Sequence, residues 1–147
     1  MGLKMYEKQP MSKVERFKQY LTMRGWKNVL ADEEKEMVII PYDDINVYVS
    51  FDVDNYHPEK ANLCTKLGKS IVKESFKNDD TDEFDERQAL DYINTMNLSI
   101  TGLKAVLLDE KAIFFQLILQ YPENMLFQHV ESYISIFHDT IADYLFE

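Results

Sequence analysis

Three histidines, one cysteine and 26 carboxylates are the groups in this chain with the chemistry to move protons, attack carbon or hold a metal. The run Asp52-Val53-Asp54-Asn55 offers the alternating oxygen donors with which a calcium loop opens. A loop begun at Asp52 would place Tyr56 at its fifth position, His57 where glycine must turn the chain, and Leu63 where a bidentate glutamate closes the shell. The run therefore reads as a polar strand end entering a turn. Frames begun at Asp79 or Asp80 fail in the same way at Phe84. Lys66-Leu67-Gly68-Lys69-Ser70 contains a Gly-Lys-Ser, but Leu63 stands where a phosphate loop needs its first glycine. The four glycines, Gly2, Gly25, Gly68 and Gly102, are scattered singly, which excludes a dinucleotide fingerprint.

His129 and His138 lie on one predicted helix, nine residues apart, and at about 100° per residue they face opposite ways, so they cannot share an ion. His129 reads as a histidine at the boundary of a core stripe, and His57, before Pro58, as a turn residue with no nucleophile beside it. Cys64 is alone, which excludes an intramolecular disulfide or a thiolate-rich metal site and leaves a buried, inert thiol. The carboxylates read as a solubilising face. No catalytic, cofactor-binding or metal-binding residue is assigned, no cofactor is expected, and the chain reads as something other than an enzyme.

With 147 residues the chain suits one domain, and 46% hydrophobic with 13% aromatic residues is too apolar for a disordered one. The net charge of −10 would repel a phosphate backbone and anionic membrane surfaces, which argues against nucleic-acid or membrane partners. No apolar run approaches the roughly 20 residues of a spanning helix. The first ten residues lack the apolar core of a secretory signal, and position 6 is Tyr6 where a myristoylation motif needs Ser or Thr, so a cytoplasmic chain is expected.

The elements that would position any site follow from periodicity. Residues 1–11 read as a flexible tail ahead of a single domain over 12–147. Ser12-Lys13-Val14-Glu15 is a capping box, Val14, Phe17 and Leu21 recur at helical spacing with Tyr20 beside them, and Gly25 supplies a left-handed stop. Val29-Ala31 and Met37-Ile40 flank a charged turn as a hairpin, and Pro41 with Asp43-Asp44 punctuates the next turn. Ile45, Val47, Val49, Phe51 and Val53 alternate with polar neighbours as a half-buried strand. Residues 61–76 fit both strand and helix, with strand favoured. Residues 78–86, rich in carboxylates, read as a mobile loop before a short helix whose apolar face holds Ala89, Leu90, Ile93 and Met96, with Tyr92 on its flank.

Leu103-Leu108 and Ala112-Leu119 form a second hairpin whose later strand is apolar on both faces. Pro122 leads into a C-terminal helix with Leu126, Val130, Tyr133, Ile134, Phe137, Ile141, Tyr144 and Leu145 on one stripe, and Met125, Ile136 and Phe146 outside it. The expected fold is α+β, an antiparallel sheet of about five strands packed with three helices in the order α-β-β-β-α-β-β-α.

This order, together with Ala89-Leu90-Asp91-Tyr92-Ile93-Asn94-Thr95-Met96-Asn97, a helix ending in asparagine, and Lys104-Ala105-Val106-Leu107-Leu108-Asp109-Glu110, a strand with an acidic turn, resembles the YbjN-like family. That family is described as bacterial sensory-transduction regulators, and through it the chain resembles the type III secretion chaperone fold. The likeness covers nearly the whole chain in element order and residues 89–147 in sequence texture; Tyr56 to Phe76 departs from it by being longer and more basic. It implies a small bacterial protein, often dimeric, that binds an extended segment of a protein partner and turns over no substrate. The expected function is accordingly a non-enzymatic protein-binding module, with a homodimer as one arrangement. An acidic, immunity-type or structural protein that neutralises a basic partner, motivated by Asp79 to Glu86, is the alternative.

Overall fold

The computed structural model of the chain describes residues 11–43, 45–52 and 59–145. The expected tail therefore lies outside the described residues except for Met11. Helix α1 (Lys13–Met23) begins where Ser12 Oγ accepts the Glu15 amide at 3.1 Å, and the same hydroxyl donates to Glu33 at 2.7 Å across the following hairpin. It ends where the Gly25 and Trp26 amides return to the Thr22 and Leu21 carbonyls at 3.1 and 3.0 Å, with Gly25 at φ +98°. That double bond is the Schellman closure, which requires a left-handed residue at this point.

Six strands follow in one antiparallel sheet: β1 (Leu30–Asp32), β2 (Met37–Tyr42), β3 (Ile45–Asp52), β4 (Glu59–Leu67), β5 (Leu103–Leu107) and β6 (Ile113–Tyr121), ordered β1-β2-β3-β4-β6-β5. Between β4 and β5 lie α2 (Lys69–Ser75) and α3 (Glu86–Ser99), and α4 (Glu123–Leu145) closes the chain. The sheet has one more strand than expected and there is one more helix. Both come from residues 61–76, which are strand and helix in turn. Ala61, Leu63, Thr65 and Leu67 alternate onto the buried face, Gly68 then caps α2, and Val72 and Phe76 bury one helical turn apart. Pro41 does not end β2. It pairs with Asn46 at a level that the short β1 does not reach, and β2 is an edge there, where a missing amide is tolerated.

Helices α1, α3 and α4 all pack against the same face of the sheet. On β2, β3, β4 and β6 the inward residues Val38, Ile40, Val47, Val49, Ala61, Leu63, Ile113 and Phe115 have essentially no exposure. Phe17 of α1, Phe51 of β3 and Phe127 of α4 form a triangle of rings with centroids 5.0 to 5.7 Å apart, locking three elements together. The C-terminal stripe holds: Leu126, Val130, Ile134, Phe137 and Ile141 are fully buried, whereas Met125 and Ile136 stay exposed. Phe146 and the side chain of Tyr144 lie outside the described residues.

Two local expectations change. In α3 the buried positions are Ala89, Tyr92, Ile93 and Met96, a regular i, i+3, i+4, i+7 set, which turns Leu90 towards solvent at 44% exposure. Tyr92 can enter the core because its hydroxyl donates to the Ile141 carbonyl at 3.0 Å. The acidic segment before α3 is a tight loop: Asn78 bonds the Glu83 carbonyl, Asp82 bonds back to Asn78, and the Asn78 side chain accepts the Asp80 and Thr81 amides.

The free edge of β5 is closed by side chain and turn. Asn97, at the end of α3, accepts the Ala105 amide through Oδ1 at 2.7 Å and donates Nδ2 to the Ala105 carbonyl at 3.3 Å, copying the bonds of a neighbouring strand. The Leu103 amide returns to the Ile100 carbonyl at 3.1 Å. Natural sheets blunt their edges by such devices.

Substituting Asn97→Ala should cost about 1–2 kcal/mol in urea unfolding and accelerate hydrogen exchange at the Ala105 amide. An unchanged exchange rate would show that the asparagine does not hold the edge. Burial raises the Tyr92 phenol above its ordinary 10.0, so the folded chain keeps a proton that the unfolded chain sheds. This contribution is complete below that value and disappears as pH rises through the folded pKa. Stability should therefore decline above about pH 10, and Tyr92→Phe, although about 1 kcal/mol weaker at neutral pH, should decline less steeply.

Candidate functional site

Because strand side chains alternate, burying one face commits the other set of residues to the opposite side. By register, one outward row runs Leu30, Ile39, Tyr48, Cys64, Gln116 and Lys104 across all six strands. A second runs Asp32, Met37, Ser50, Asn62 and Ile118, and a third joins Lys66, Phe114 and Val106. None of these side chains is fully buried. Leu30, Val106 and Ile118 are each more than half exposed, and Met37, Ile39, Tyr48 and Phe114 are partly so. The strand β6 thus carries apolar residues on both faces, as expected, and the described helices cover only one of them.

The outward face also differs in charge from the rest of the chain. Among the described side chains its register positions hold Lys60, Lys66 and Lys104 against Asp32, in a chain of −10. Lys66 meets Glu110 of the β5–β6 turn at 2.7 Å, with both side chains about half exposed. Cys64 sits at the centre of this face, half-buried between Tyr48 and Gln116, and burial pushes its thiol above the ordinary value. The expected buried thiol therefore lies on the open side of the sheet and not in the core.

A second concavity lies at the β2 side of the molecule, an open groove of about 570 Å³ lined by Arg24 to Asn28 and Pro41 to Asp43. Its wall is an aromatic ladder in which Trp26 packs on Tyr42 at 5.9 Å and Tyr42 packs on His138 at 3.8 Å. Glu131 of α4 anchors the ladder by accepting Trp26 Nε1 at 2.9 Å, Arg24 Nε at 3.1 Å and the Tyr20 hydroxyl at 3.3 Å. Burial, with Glu131 adding to it, raises the Tyr20 phenol.

His138 is 3% exposed, its Nδ1 is 3.0 Å from Asp139, and its Nε2 has no partner among the described residues. It is the histidine of α4 that turns into the core, while His129 is partly buried, at the boundary where the sequence puts it. His129 stacks flat on Tyr121 at 3.9 Å, on the other flank of α4. The signal for His138 was available, since it follows Ile134 by four residues and precedes Ile141 by three. Glu131 and Asn97 had no comparable signal, because both act through contacts distant in sequence. His57 and the calcium-like run after Asp52 lie outside the described residues. Gly68 is the N-cap of the short α2. Among the described residues, no group of His, Cys, Asp and Glu could hold a metal, and no helix is long and apolar enough to cross a membrane.

No family model, curated protein or solved structure matches the chain.

Truncating Glu131→Ala should lower stability by about 1–3 kcal/mol, because the Trp26 indole loses its acceptor in a partly buried site. Trp26 is the single tryptophan, so a change in its emission maximum reads the loss directly.

Proposed function

We propose that this chain is a non-enzymatic protein-binding module that holds a segment of a partner protein against the outward face of its sheet. One observation carries the reading: the face opposite the helices leaves Leu30, Val106 and Ile118 more than half exposed on a rigid six-stranded surface. They stand on β1, β5 and β6, with Ile39, Tyr48 and Phe114 partly exposed on the same face, and exposed apolar area on a sheet face that lacks a covering layer is where a contact site is expected. The closed edge at β5 and the three-residue β1 at the other side argue for binding on the face rather than by strand addition. The resemblance to the YbjN-like family and to secretion chaperones points to the same class of role, and the α+β order of elements is compatible with it.

The alternative of an acidic protein neutralising a basic partner has less support. The carboxylates of residues 33–36 and 79–86 stand in turns at opposite sides of the sheet and do not converge on one surface.

A photo-crosslinker attached to Cys64, at the centre of the face, tests the reading in an extract of the native cells. Adducts should form at Cys64 and be absent from a Cys64→Ser chain labelled at Gln128→Cys, an exposed position on α4. Equal labelling at the two positions, or none at Cys64, would reject the sheet face as the binding surface.

A further inference from the structure

Resting on that reading, we infer that the partner element which lies on the outward face is an amphipathic helix whose polar side carries carboxylates. The argument has a backbone part and a charge part.

A strand laid across a sheet face, with no edge to pair with, would press its own amides and carbonyls onto Ile118, Phe114 and Tyr48 without hydrogen bonds, which is costly. The described edges do not offer the alternative, because Asn97 and Ile100 occupy the β5 edge and β1 is three residues long. A helix satisfies its backbone internally and brings only side chains to the surface. The inner face shows the same solution, since three helices of this chain cover it.

The charge part comes from the placement of the lysines. Lys60 and Lys66 lie on β4 six residues apart, which is about 20 Å along the strand, with Asn62 and Cys64 between them. Lys104 lies two strands away, level with Cys64. The distance between the first two matches about four turns of helix. A helix running over β4 and β6 would set its apolar stripe on Ile118, Phe114 and Val106 and its flanking residues beside the three ammonium groups. Carboxylates fit there and lysines do not. The Lys66–Glu110 pair does not block this, because an exposed ion pair is worth little and exchanges readily.

The probes are three synthetic peptides of equal length: a leucine–glutamate amphipathic helix, the same helix with lysine for glutamate, and the glutamate peptide with central prolines that prevent helix formation. Binding is read by protection of Cys64 from iodoacetamide and by peptide helicity. The acidic helix is expected to protect Cys64 and gain helicity. Reversing Lys60, Lys66 and Lys104 to glutamate should weaken it at least about tenfold and reverse the preference towards the lysine peptide. The fold of that variant is checked by its urea midpoint, and Ile118→Ser, which keeps the charges, should weaken both helices.

Equal binding of the lysine helix or of the proline peptide to the wild-type chain overturns the inference. So does protection of Cys64 at high protein concentration without peptide, accompanied by a dimer mass in light scattering, because the occupant is then a second copy. Failure with the probes while Cys64 still crosslinks to a protein in extract rejects this partner chemistry alone. Failure of both rejects the binding face itself.

Discussion

Full-length pairing between β4 and β6 is the contact on which the remainder of the molecule depends. All nine residues of each strand are in register, from Glu59 with Tyr121 to Leu67 with Ile113. This one ladder joins the N-terminal meander β1 to β4 to the C-terminal hairpin β5 and β6, which have no other strand contact. It also fixes which side chains face α4, because a slip of β6 by one residue against β4 would send Phe115 and Leu117 outward and bring Gln116 and Ile118 into the core. The buried threonine of β4 marks the limit of its pairing with β3: Thr65 donates to the Asn46 carbonyl at 2.6 Å where the backbone ladder between β3 and β4 stops.

From that ladder follows the inequality of the two faces. A sheet packed with helices on one side needs an alternating sequence, and the strands supply it, with aliphatic and aromatic residues inward and a mixture outward. The mixture is unusual for an acidic chain in favouring lysine over carboxylate and in keeping Ile118, Val106 and Phe114 beside polar neighbours. Carboxylates stand elsewhere, in the turns and on the helices, as at Glu33, Glu34, Asp79, Asp80 and Asp91. The helical side also exposes single apolar residues, Met23 and Leu98 most of all, so the sheet face differs from it chiefly in its lysines.

Much of this was legible in the chain, and the illegible parts share a cause. Strong periodicity gave β3, the β5–β6 hairpin, α1 with its cap and glycine stop, and the buried stripe of α4. Residues 61–76 were ambiguous because Leu63 and Leu67 satisfy both periods; only the glycine between two short elements divides them. Tyr92 and Leu90 were exchanged because helix rotation is set by the elements around α3, and a tyrosine goes inward once the Ile141 carbonyl is present to receive its hydroxyl. The outward face was anticipated only as unpaired apolar surface, since which of two alternating sets is left uncovered depends on where the helices land. Asn97 and Glu131 draw their roles from partners in other elements, whereas the inward turn of His138 is legible in its spacing to Ile134 and Ile141.

The order of the strands also has a cost in time. The neighbouring strands β4 and β6 are separated in the chain by about fifty residues, so β4 is made long before its partner. At about 5–20 residues per second, a ribosome exposes the first four strands for several seconds before β6 can arrive. Through that interval the nascent sheet ends in a bare nine-residue edge, and its core lacks α4. A newly made chain is therefore most vulnerable to pairing with its neighbours midway through synthesis, and every molecule must pass that point before its centre is closed.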